Sequence, residues 1–197
     1  MQGTIEGAET ALRFAYGNCG DAEKSGISGK ERIMTIRFYV TGGTFDKEYN
    51  EITGELFFRD THVREMLKMG RCNLDLEIRT LMMIDSTEMT DVDREMIRKA
   101  CAESSQDRIV ITHGTDTMAD TARHLGEKVK DKTIVLVGAM IPFTFGSSDG
   151  LFNLGAALAF AQTLPHGVYV AMNGRLFQQD NVRKNRSTGL FEVVQPE

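Results

Sequence analysis

The chain has 197 residues, of which 41% are hydrophobic and 26% charged, and its formal net charge is −5. This length and balance suit one globular domain and exclude a disordered or fibrous protein. The negative charge disfavours nucleic acid or an anionic membrane as the main partner, since both require a concentrated basic face. The longest strongly apolar run, 134–141, is far shorter than the roughly 18 residues that a membrane-spanning helix needs.

The cysteines and the start of the chain indicate a cellular compartment. Cys19, Cys72 and Cys101 are odd in number and widely spaced, which disfavours a disulfide framework and a cysteine-rich zinc site. The first ten residues carry Glu6 and Glu9, whereas an export signal would be basic and then apolar. We therefore expect a protein of the reducing cytoplasm.

Residues 1–33 differ from the rest of the chain. They are rich in Gly and polar residues, and their one apolar patch, 11–16, shows no periodicity that could bury a face. The sequence predicts a loosely ordered N-terminal extension over 1–33 and a single domain over 34–197.

Short runs of β-branched and apolar residues alternate with helical patterns from Met34 onward. The predicted strands are 36–41, 76–82, 108–112, 133–137 and 167–172. Strands that alternate with helices predict right-handed βαβ units. The expected fold is a three-layer α/β fold, with a mostly parallel sheet and helices on both faces.

Four helices are predicted between these strands. The first covers 61–70, and the second begins with the capping-box sequence 90–93. The third covers 117–126 and the fourth covers 149–162. Glycines end the first and third helices, and the fourth is almost entirely apolar, so we expect it to be buried. In the second helix, we expect one buried face made of Val92, Met96, Ile97 and Ala100.

Small and polar residues follow four of the predicted strands. These segments are TGGT at 41–44, DST at 85–87, HGTDT at 113–117, and 138–149, which ends in GSSD. Ligands bind beyond the carboxyl ends of the strands in an open parallel sheet. The segments therefore predict a polar pocket lined by hydroxyls, carboxylates and backbone N–H groups.

The motifs of several common sites are absent from the sequence. There is no GxxxxGK[ST] loop, no GxGxxG after the first strand, no GxSxG elbow and no HExxH. Gly42 and Gly43 permit close backbone approach to a phosphate, a carboxylate or an oxyanion, but a tight turn explains them equally. For His113, we favour a hydrogen bond to the backbone over a catalytic role. No metal site is predicted.

Two threonines stand at strand ends, where their hydroxyls can point into the pocket: Thr44 and Thr115. A threonine hydroxyl becomes a nucleophile only when a neighbouring group accepts its proton. Asp116 adjoins Thr115, and Lys184 follows the fifth strand, from which it could fold back over the same edge. Thr-Asp is equally an ordinary helix N-cap, and Lys184 could equally be a surface lysine, so spacing alone leaves both interpretations open.

Seven segments between Met34 and the end of the chain, considered together, carry a recognisable pattern. They are TGGT at 41–44, IDSTEMTD at 84–91, ITHGTDTM at 111–118, VGAMIPF at 137–143, SSDGLFNL at 147–154, GVYVAMNGRLF at 167–177 and NVRK at 181–184. Together they resemble the amino-terminal domain of the L-asparaginase/glutaminase amidohydrolases. The resemblance implies a flavodoxin-like fold and hydrolysis of a side-chain amide by a threonine nucleophile, without a metal or an organic cofactor.

The resemblance also implies catalytic roles for particular residues. Thr44 matches the nucleophile of the family. Thr115, Asp116 and Lys184 match a second group, in which the lysine and the aspartate set the state of the threonine hydroxyl. Tyr49 is the nearest candidate for the lid tyrosine that helps to activate the first threonine.

Further positions match residues that bind the substrate in the family. Ser86 matches the residue that binds the α-carboxylate, and Asp116 also meets the α-ammonium group. Gly43, Thr87 and Ala139 complete the expected substrate-binding set. The expected ligand is therefore a small amino-acid amide.

The chain departs from the family pattern at several points. Typical members carry a second α/β domain, and a carboxylate from this domain in a neighbouring subunit completes the amine site. Thr87 stands where many members have glutamine, Ile141 replaces an arginine, and GGTFDK at 42–47 replaces GGTIA. These features resemble a short, one-domain branch in which the second domain is absent.

The resemblance favours one activity and leaves two alternatives open. We expect hydrolysis of L-asparagine, while hydrolysis of another amide such as glutamine, or binding of a small amino acid without catalysis, are the alternatives. We also expect a homo-oligomer, a dimer or a tetramer, because the family shields its site with a neighbouring subunit.

Overall fold

The computed structural model describes residues 34–194, so the predicted extension over 1–33 lies outside the described residues. The strands of this part are β1 (Thr35–Gly42), β2 (Lys47–Asn50), β3 (Glu55–Phe58), β4 (Asp75–Ile84), β5 (Arg108–Thr112), β6 (Thr133–Val137), β7 (Gly167–Met172), β8 (Arg175–Gln178), β9 (Arg183–Lys184) and β10 (Phe191–Glu192). The α-helices are α1 (Val63–Met69), α2 (Asp91–Glu103), α3 (Met118–Lys128) and α4 (Gly150–Thr163). Within the described range, no helix combines the length and the apolar character that a membrane crossing requires.

Six strands form the central sheet, in the order β4-β1-β5-β6-β7-β8. The first five are parallel, and β8 pairs antiparallel with β7. Counted among themselves along the chain, the parallel strands follow the order 2-1-3-4-5, which is the flavodoxin-like order. The predicted fold class is confirmed, and the strand order reverses between β1 and β5.

Two apolar layers enclose the sheet. Helices α2 and α3 cover one face, where Ile97 and Leu125 are fully buried. Helices α1 and α4 cover the other face, where Met66 and Leu154 are buried. Along β5, the consecutive residues 109–111 alternate between the two layers, as the pleat of a strand requires.

The five predicted strands are confirmed as β1, β4, β5, β6 and β7. The predicted buried face of α2 is correct for Ile97 and Ala100, which pack in the core layer, and wrong for Val92 and Met96. Ile97 and Cys101 are fully buried against the sheet, whereas Val92 is 75% exposed and Met96 is 48% exposed. The last two line an open groove between α2 and β4. Because β4 is the edge strand of the sheet, no further layer of residues 34–194 covers that side of the helix.

Three other helices also differ in detail from the prediction. Gly126 lies inside α3 rather than at its end, and a Cβ atom built on it would lie 2.3 Å from the side chain of Gln179. Helix α4 buries one side only, and Phe152 on its outer side is 65% exposed. Helix α1 begins at Val63, and the hydroxyl of Thr61 accepts a hydrogen bond from the Val63 N–H at 3.3 Å.

Residues 34–194 contain two hairpins of four residue pairs each that were not predicted. One joins β2 to β3 and does not pair with the central sheet. The other joins β7 to β8 through Asn173 and Gly174, which have φ angles of 57° and 71°. An Asn-Gly pair with positive φ at both positions is the usual two-residue hairpin turn. This dipeptide was therefore a readable signal for β8.

A buried carboxylate connects the end of β1 to α1. Asp46 is fully buried, and its Oδ1 accepts hydrogen bonds from the Thr61 hydroxyl at 3.0 Å and the His62 N–H at 2.9 Å. Its Oδ2 has no hydrogen-bond partner among the described residues. Burial raises the pKa of Asp46 to about 6, although the two hydrogen bonds act in the opposite direction.

The two faces of α2 are distinguished by a matched pair of substitutions. Ile97→Ala should reduce the free energy of unfolding by about 2–4 kcal/mol, because it empties space in the core. Met96→Ala, one residue earlier on the exposed side, should cost less than about 1 kcal/mol. Urea denaturation of both variants measures the difference, and equal losses would contradict the observed orientation of the helix.

The raised pKa of Asp46 predicts a pH dependence of stability. The folded-state pKa is above that of the unfolded chain, so its stabilising contribution is present below about pH 4 and is lost as the pH rises through about 6. Relative to Asp46→Asn, the wild type should therefore gain about 1–1.5 kcal/mol of stability between pH 7.5 and pH 5. Asp131→Asn on an exposed turn is the control. A constant difference between the wild type and Asp46→Asn would show that Asp46 does not titrate in this range.

Candidate active site

The ends of β1, β4 and β5 meet at the point where the strand order reverses. Gly43 has a φ of 85°, and a Cβ atom built on it would lie 2.4 Å from the backbone nitrogen of Gly114. A Cβ atom built on Gly114 would lie 2.5 Å from Ser86 Oγ. Only glycine permits both contacts. The two glycines thus bring the segments of Thr44, Ser86 and Thr115 together.

Thr44 opens a single turn of 3₁₀ helix, Thr44–Asp46, directly after β1. Its side chain is half-buried, and its backbone oxygen accepts a hydrogen bond from the N–H of Lys47. Within residues 34–194, no hydrogen bond reaches its hydroxyl from another side chain or from the backbone. That oxygen is therefore available to a ligand at the edge of the sheet.

Lys184 folds back over the end of β5. Its Nζ donates hydrogen bonds to Thr115 Oγ1 at 2.8 Å and to Asp116 Oδ1 at 3.0 Å. Thr115 is buried, Lys184 is half-buried and Asp116 is exposed. The structure therefore brings together three of the predicted residues and does not place Lys184 on the free surface.

The short strands β9 and β10 hold Lys184 in this position. Lys184 pairs with Phe191 across the two strands, and Phe191 is buried against the ring of Phe177. The neighbouring Arg183 makes an ion pair with Glu192 at 2.8 Å. These contacts fix the backbone of Lys184 at the position from which its side chain reaches the site.

Ser86 is buried, and its Oγ has no hydrogen-bond partner among the described residues. A buried hydroxyl without a partner costs about 1–3 kcal/mol. Its backbone oxygen accepts a hydrogen bond from the Thr117 hydroxyl at 2.8 Å, which joins this loop to the start of α3. An unsatisfied polar atom at the meeting point of three loops is a feature of a ligand site.

Asp85 and Thr87 flank Ser86 and contact each other. The Thr87 hydroxyl and N–H both donate to Asp85 Oδ1, at 2.7 and 2.9 Å, so the predicted substrate-binding hydroxyl of Thr87 already has a partner. Asp85 Oδ2 accepts a hydrogen bond from Lys47 Nζ. Burial alone would raise the pKa of Asp85, but the hydrogen bonds from Lys47 and Thr87 outweigh it and lower the pKa to about 2.

Two of the predicted residues are placed less directly. Tyr49 lies on β2, is 53% exposed, and has its hydroxyl beside Gly54 at the hairpin tip. Among the described residues, nothing joins that hydroxyl to Thr44 by a hydrogen bond. The side chain of Ala139 is fully buried in the core, so only its backbone can face a ligand.

His113 stands behind the site and is fully buried. Its Nδ1 lies 2.8 Å from the carbonyl oxygen of Gly114, and its Nε2 lies 2.8 Å from the hydroxyl of Thr121. A neutral ring satisfies both contacts, with Nδ1–H as donor and Nε2 as acceptor. Burial lowers the pKa of His113 to about 4, which keeps the ring neutral. The predicted hydrogen bond to the backbone is confirmed.

The individual contacts of several residues that shape the site were not predicted. Asp149 accepts hydrogen bonds from the N–H groups of Met140 and Ile141 at 2.9 and 3.1 Å, and so fixes the loop after β6. Asn153 donates to the carbonyl oxygen of Gly138 at 3.0 Å. The SSDGLFNL segment was the available signal for both. The FDK sequence after Thr44 was the signal for Asp46 and Lys47.

The arrangement supplies two hydroxyls with different surroundings. One, on Thr44, lacks a partner among the described residues, and the other, on Thr115, is bonded to an amine that is itself paired with a carboxylate. Such a pair can move a proton to or from a hydroxyl. Residues 34–194 contain no group of three or more His, Cys, Asp or Glu side chains that could hold a metal ion.

Comparison with known proteins gives a consistent result. A family model described as Asparaginase, N-terminal matches residues 35–196. The chain is 39% identical over 162 residues to an L-asparaginase of Thermococcus kodakarensis, covering 80% of this chain and 49% of that protein. It is 45% identical over 176 residues to a glutaminase-asparaginase of Pseudomonas fluorescens, covering 83% and 49%.

A solved structure shows the same likeness. The structure of the thermostable L-asparaginase from Thermococcus kodakarensis matches with a TM-score of 0.74 and 31% identity, covering 83% of this chain and 52% of that chain. The chain thus spans about half the length of the curated relatives that it matches. The residues of this chain that match the family model, 35–196, include every predicted site residue. The chain therefore belongs to the asparaginase family, and it corresponds to the N-terminal domain of that family.

Proposed function

We propose that this domain hydrolyses the side-chain amide of L-asparagine to L-aspartate and ammonia. The observation that carries the proposal is the hydrogen-bonded group of Lys184, Thr115 and Asp116 close to the turn of Thr44. Packing alone would not require a lysine to reach a buried threonine. The names of the relatives, L-asparaginase and glutaminase-asparaginase, support the same substrate class.

The proposed reaction has two steps. Thr44 Oγ1 attacks the carbon of the side-chain amide, the bond from this carbon to the amide nitrogen breaks, and the proton lost by the Thr44 hydroxyl ends on the nitrogen, which leaves as ammonia. This gives a β-aspartyl ester on Thr44. Water then attacks the ester carbon, which releases aspartate and restores the threonine hydroxyl. Dividing the reaction in this way replaces one difficult displacement by two easier ones.

Lys184 and Asp116 are the groups that would control proton transfer to and from the hydroxyl of Thr115. The ammonium of Lys184 is half-buried and is compensated by the carboxylate of Asp116 at 3.0 Å. Its bond to Thr115 Oγ1 gives a direct route for a proton between the amine and that hydroxyl. Removing the amine would therefore affect turnover more than binding.

Ser86 and Asp116 would hold the amino-acid head of the substrate. The α-carboxylate would accept the hydrogen bond that Ser86 Oγ lacks within the described residues. Because this oxygen is buried against Gly114, the contact needs a small displacement of the loop. The exposed carboxylate of Asp116 would meet the α-ammonium group.

Glutamine is the second candidate substrate. The Pseudomonas fluorescens relative, which is 45% identical to this chain over 176 residues, is named glutaminase-asparaginase. The two amides differ by one methylene group, which a pocket usually distinguishes by only about 1–3 kcal/mol.

We also propose that the domain works as a homo-oligomer in the cytoplasm. Apolar side chains are exposed on the loops after β6 and β9, among them Met140, Ile141 and Leu190. A second copy would cover such a surface and would exclude water from the site. Cys72 and Cys101 are both free thiols, which suits a reducing compartment.

The activity is tested by ammonia release from L-asparagine, L-glutamine and their D-isomers. The wild type should release ammonia from L-asparagine, and Thr44→Ala should lose turnover by roughly 10³-fold or more while still binding aspartate. Thr163→Ala, at the far end of α4, is the matched control and should be unaffected. Aspartate binding without any ammonia release by the wild type would instead indicate a non-catalytic amino-acid-binding domain.

The role of Lys184 is tested by two substitutions. Lys184→Met keeps much of the packing of the stem but removes the amine, so kcat should fall by roughly 10²–10⁴-fold. Lys184→Arg should be nearly as poor, because a guanidinium group does not lose its proton at working pH. Lys99→Met on the exposed side of α2 is the control. Wild-type turnover in either Lys184 variant would remove this residue from the proposed mechanism.

A further inference from the structure

We infer that Lys47 is a positioning residue, which fastens the turn of Thr44 and the hairpin β2–β3 to the loop that carries Ser86. This inference rests on the proposed function in one respect, since it concerns how the nucleophile and the binding loop are held for the same reaction. Its physical basis is independent of that function, because it depends on contacts within the chain.

The central contact is the ion pair of Lys47 with Asp85. Lys47 is the first residue of β2 and lies three positions after Thr44, and Asp85 directly precedes Ser86. Lys47 Nζ contacts Asp85 Oδ2, and both residues are half-buried. An ion pair that is shielded from water is screened less than a surface pair and has a better-defined geometry. It therefore connects the two loops at one residue from Ser86 and three from Thr44.

Two further contacts make Lys47 the common point of four segments. Its ammonium lies over the ring of Phe58 on β3, 5.8 Å from the centroid, within the range of a cation–π interaction. Its backbone oxygen accepts a hydrogen bond from the Thr144 hydroxyl at 3.3 Å, in the loop after β6. Neither contact involves the residues that we propose to take part in the chemistry.

The hairpin depends on side chains of this kind for its position. Within the described part of the chain, strands β2 and β3 pair only with each other and form no ladder with the central sheet. An isolated two-stranded hairpin is at best marginally stable in water. Without Lys47, the hairpin and the adjoining turn of Thr44 would have greater freedom relative to Ser86.

This freedom would matter for a reaction that needs both loops at once. A substrate held by Ser86 must present its amide carbon to Thr44 Oγ1, and a displacement of about 1 Å can reduce the rate by about 100-fold. Aspartate, as a bound product, needs no attack by Thr44. The loss of Lys47 should therefore reduce turnover of asparagine more than it weakens the binding of aspartate.

The test combines kinetics with amide hydrogen exchange in the full chain. Lys47→Met, Asp85→Asn and the double variant should each show faster exchange in residues 47–58, with unchanged exchange in β5 and β6. Their kcat/KM for L-asparagine should fall by about 10–100-fold, and aspartate affinity should change by less than about threefold. The double variant should be no worse than either single variant, because the two residues act as one unit.

Two further variants separate positioning from general damage. Lys47→Arg keeps the charge and should recover most of the turnover and the slow exchange. Lys68→Met removes an exposed lysine of α1 that makes no ion pair within residues 34–194, and should match the wild type.

Each outcome decides the matter. Unchanged exchange of residues 47–58 in the Lys47 and Asp85 variants overturns the inference. Faster exchange with normal turnover also overturns it, and so does an equal loss of turnover and of aspartate affinity. If the wild type hydrolyses none of the amides, the proposed function fails, and the exchange data alone then decide whether Lys47 fastens the hairpin.

Discussion

The candidate site depends on one steric constraint, the absence of side chains at Gly43 and Gly114. Each backbone touches the next loop so closely that a Cβ atom would collide with it. Because β1 and β5 are neighbours at the point where the strand order reverses, these contacts lie where an open α/β sheet binds ligands. A larger residue at either position would push apart the segments that carry Thr44, Ser86 and Thr115.

Around this constraint, the charges are compensated in pairs. Lys184 is bonded to Asp116, and Lys47 to Asp85, so each half-buried ammonium has a carboxylate beside it. A half-buried charge without a partner would lose much of its hydration without a compensating electrostatic interaction. The first pair adjoins a hydroxyl and can take part in proton transfer, whereas the second lies between loops. Similar chemistry thus serves two purposes, which are distinguished by what each pair touches.

Some polar atoms near the site are left without partners among the described residues, and this has an energetic cost. Ser86 Oγ and Asp46 Oδ2 are both buried in this condition. The core layers on the two faces of the sheet offset such costs, since strands β5 and β6 are buried almost throughout. This division agrees with the general pattern that a stable scaffold carries a less stable functional edge.

The sequence alone determined the fold, because parallel strands show as apolar runs. The motifs TGGT and HGTD at the polar ends of these strands, together with the family resemblance, predicted the candidate site residues. The sequence did not determine contacts between segments that are distant along the chain. The sequence around Lys184 is compatible with a position on the surface and with a position in the pocket. The pairing of β9 with β10 selects the pocket, where Lys184 contacts Thr115. Likewise, the period of α2 permits two apolar faces, and packing beside the edge strand selects Ile97 over Met96. The partner of Lys47 depended on the register of β4 against β1, which places Asp85 just beyond the last paired residue.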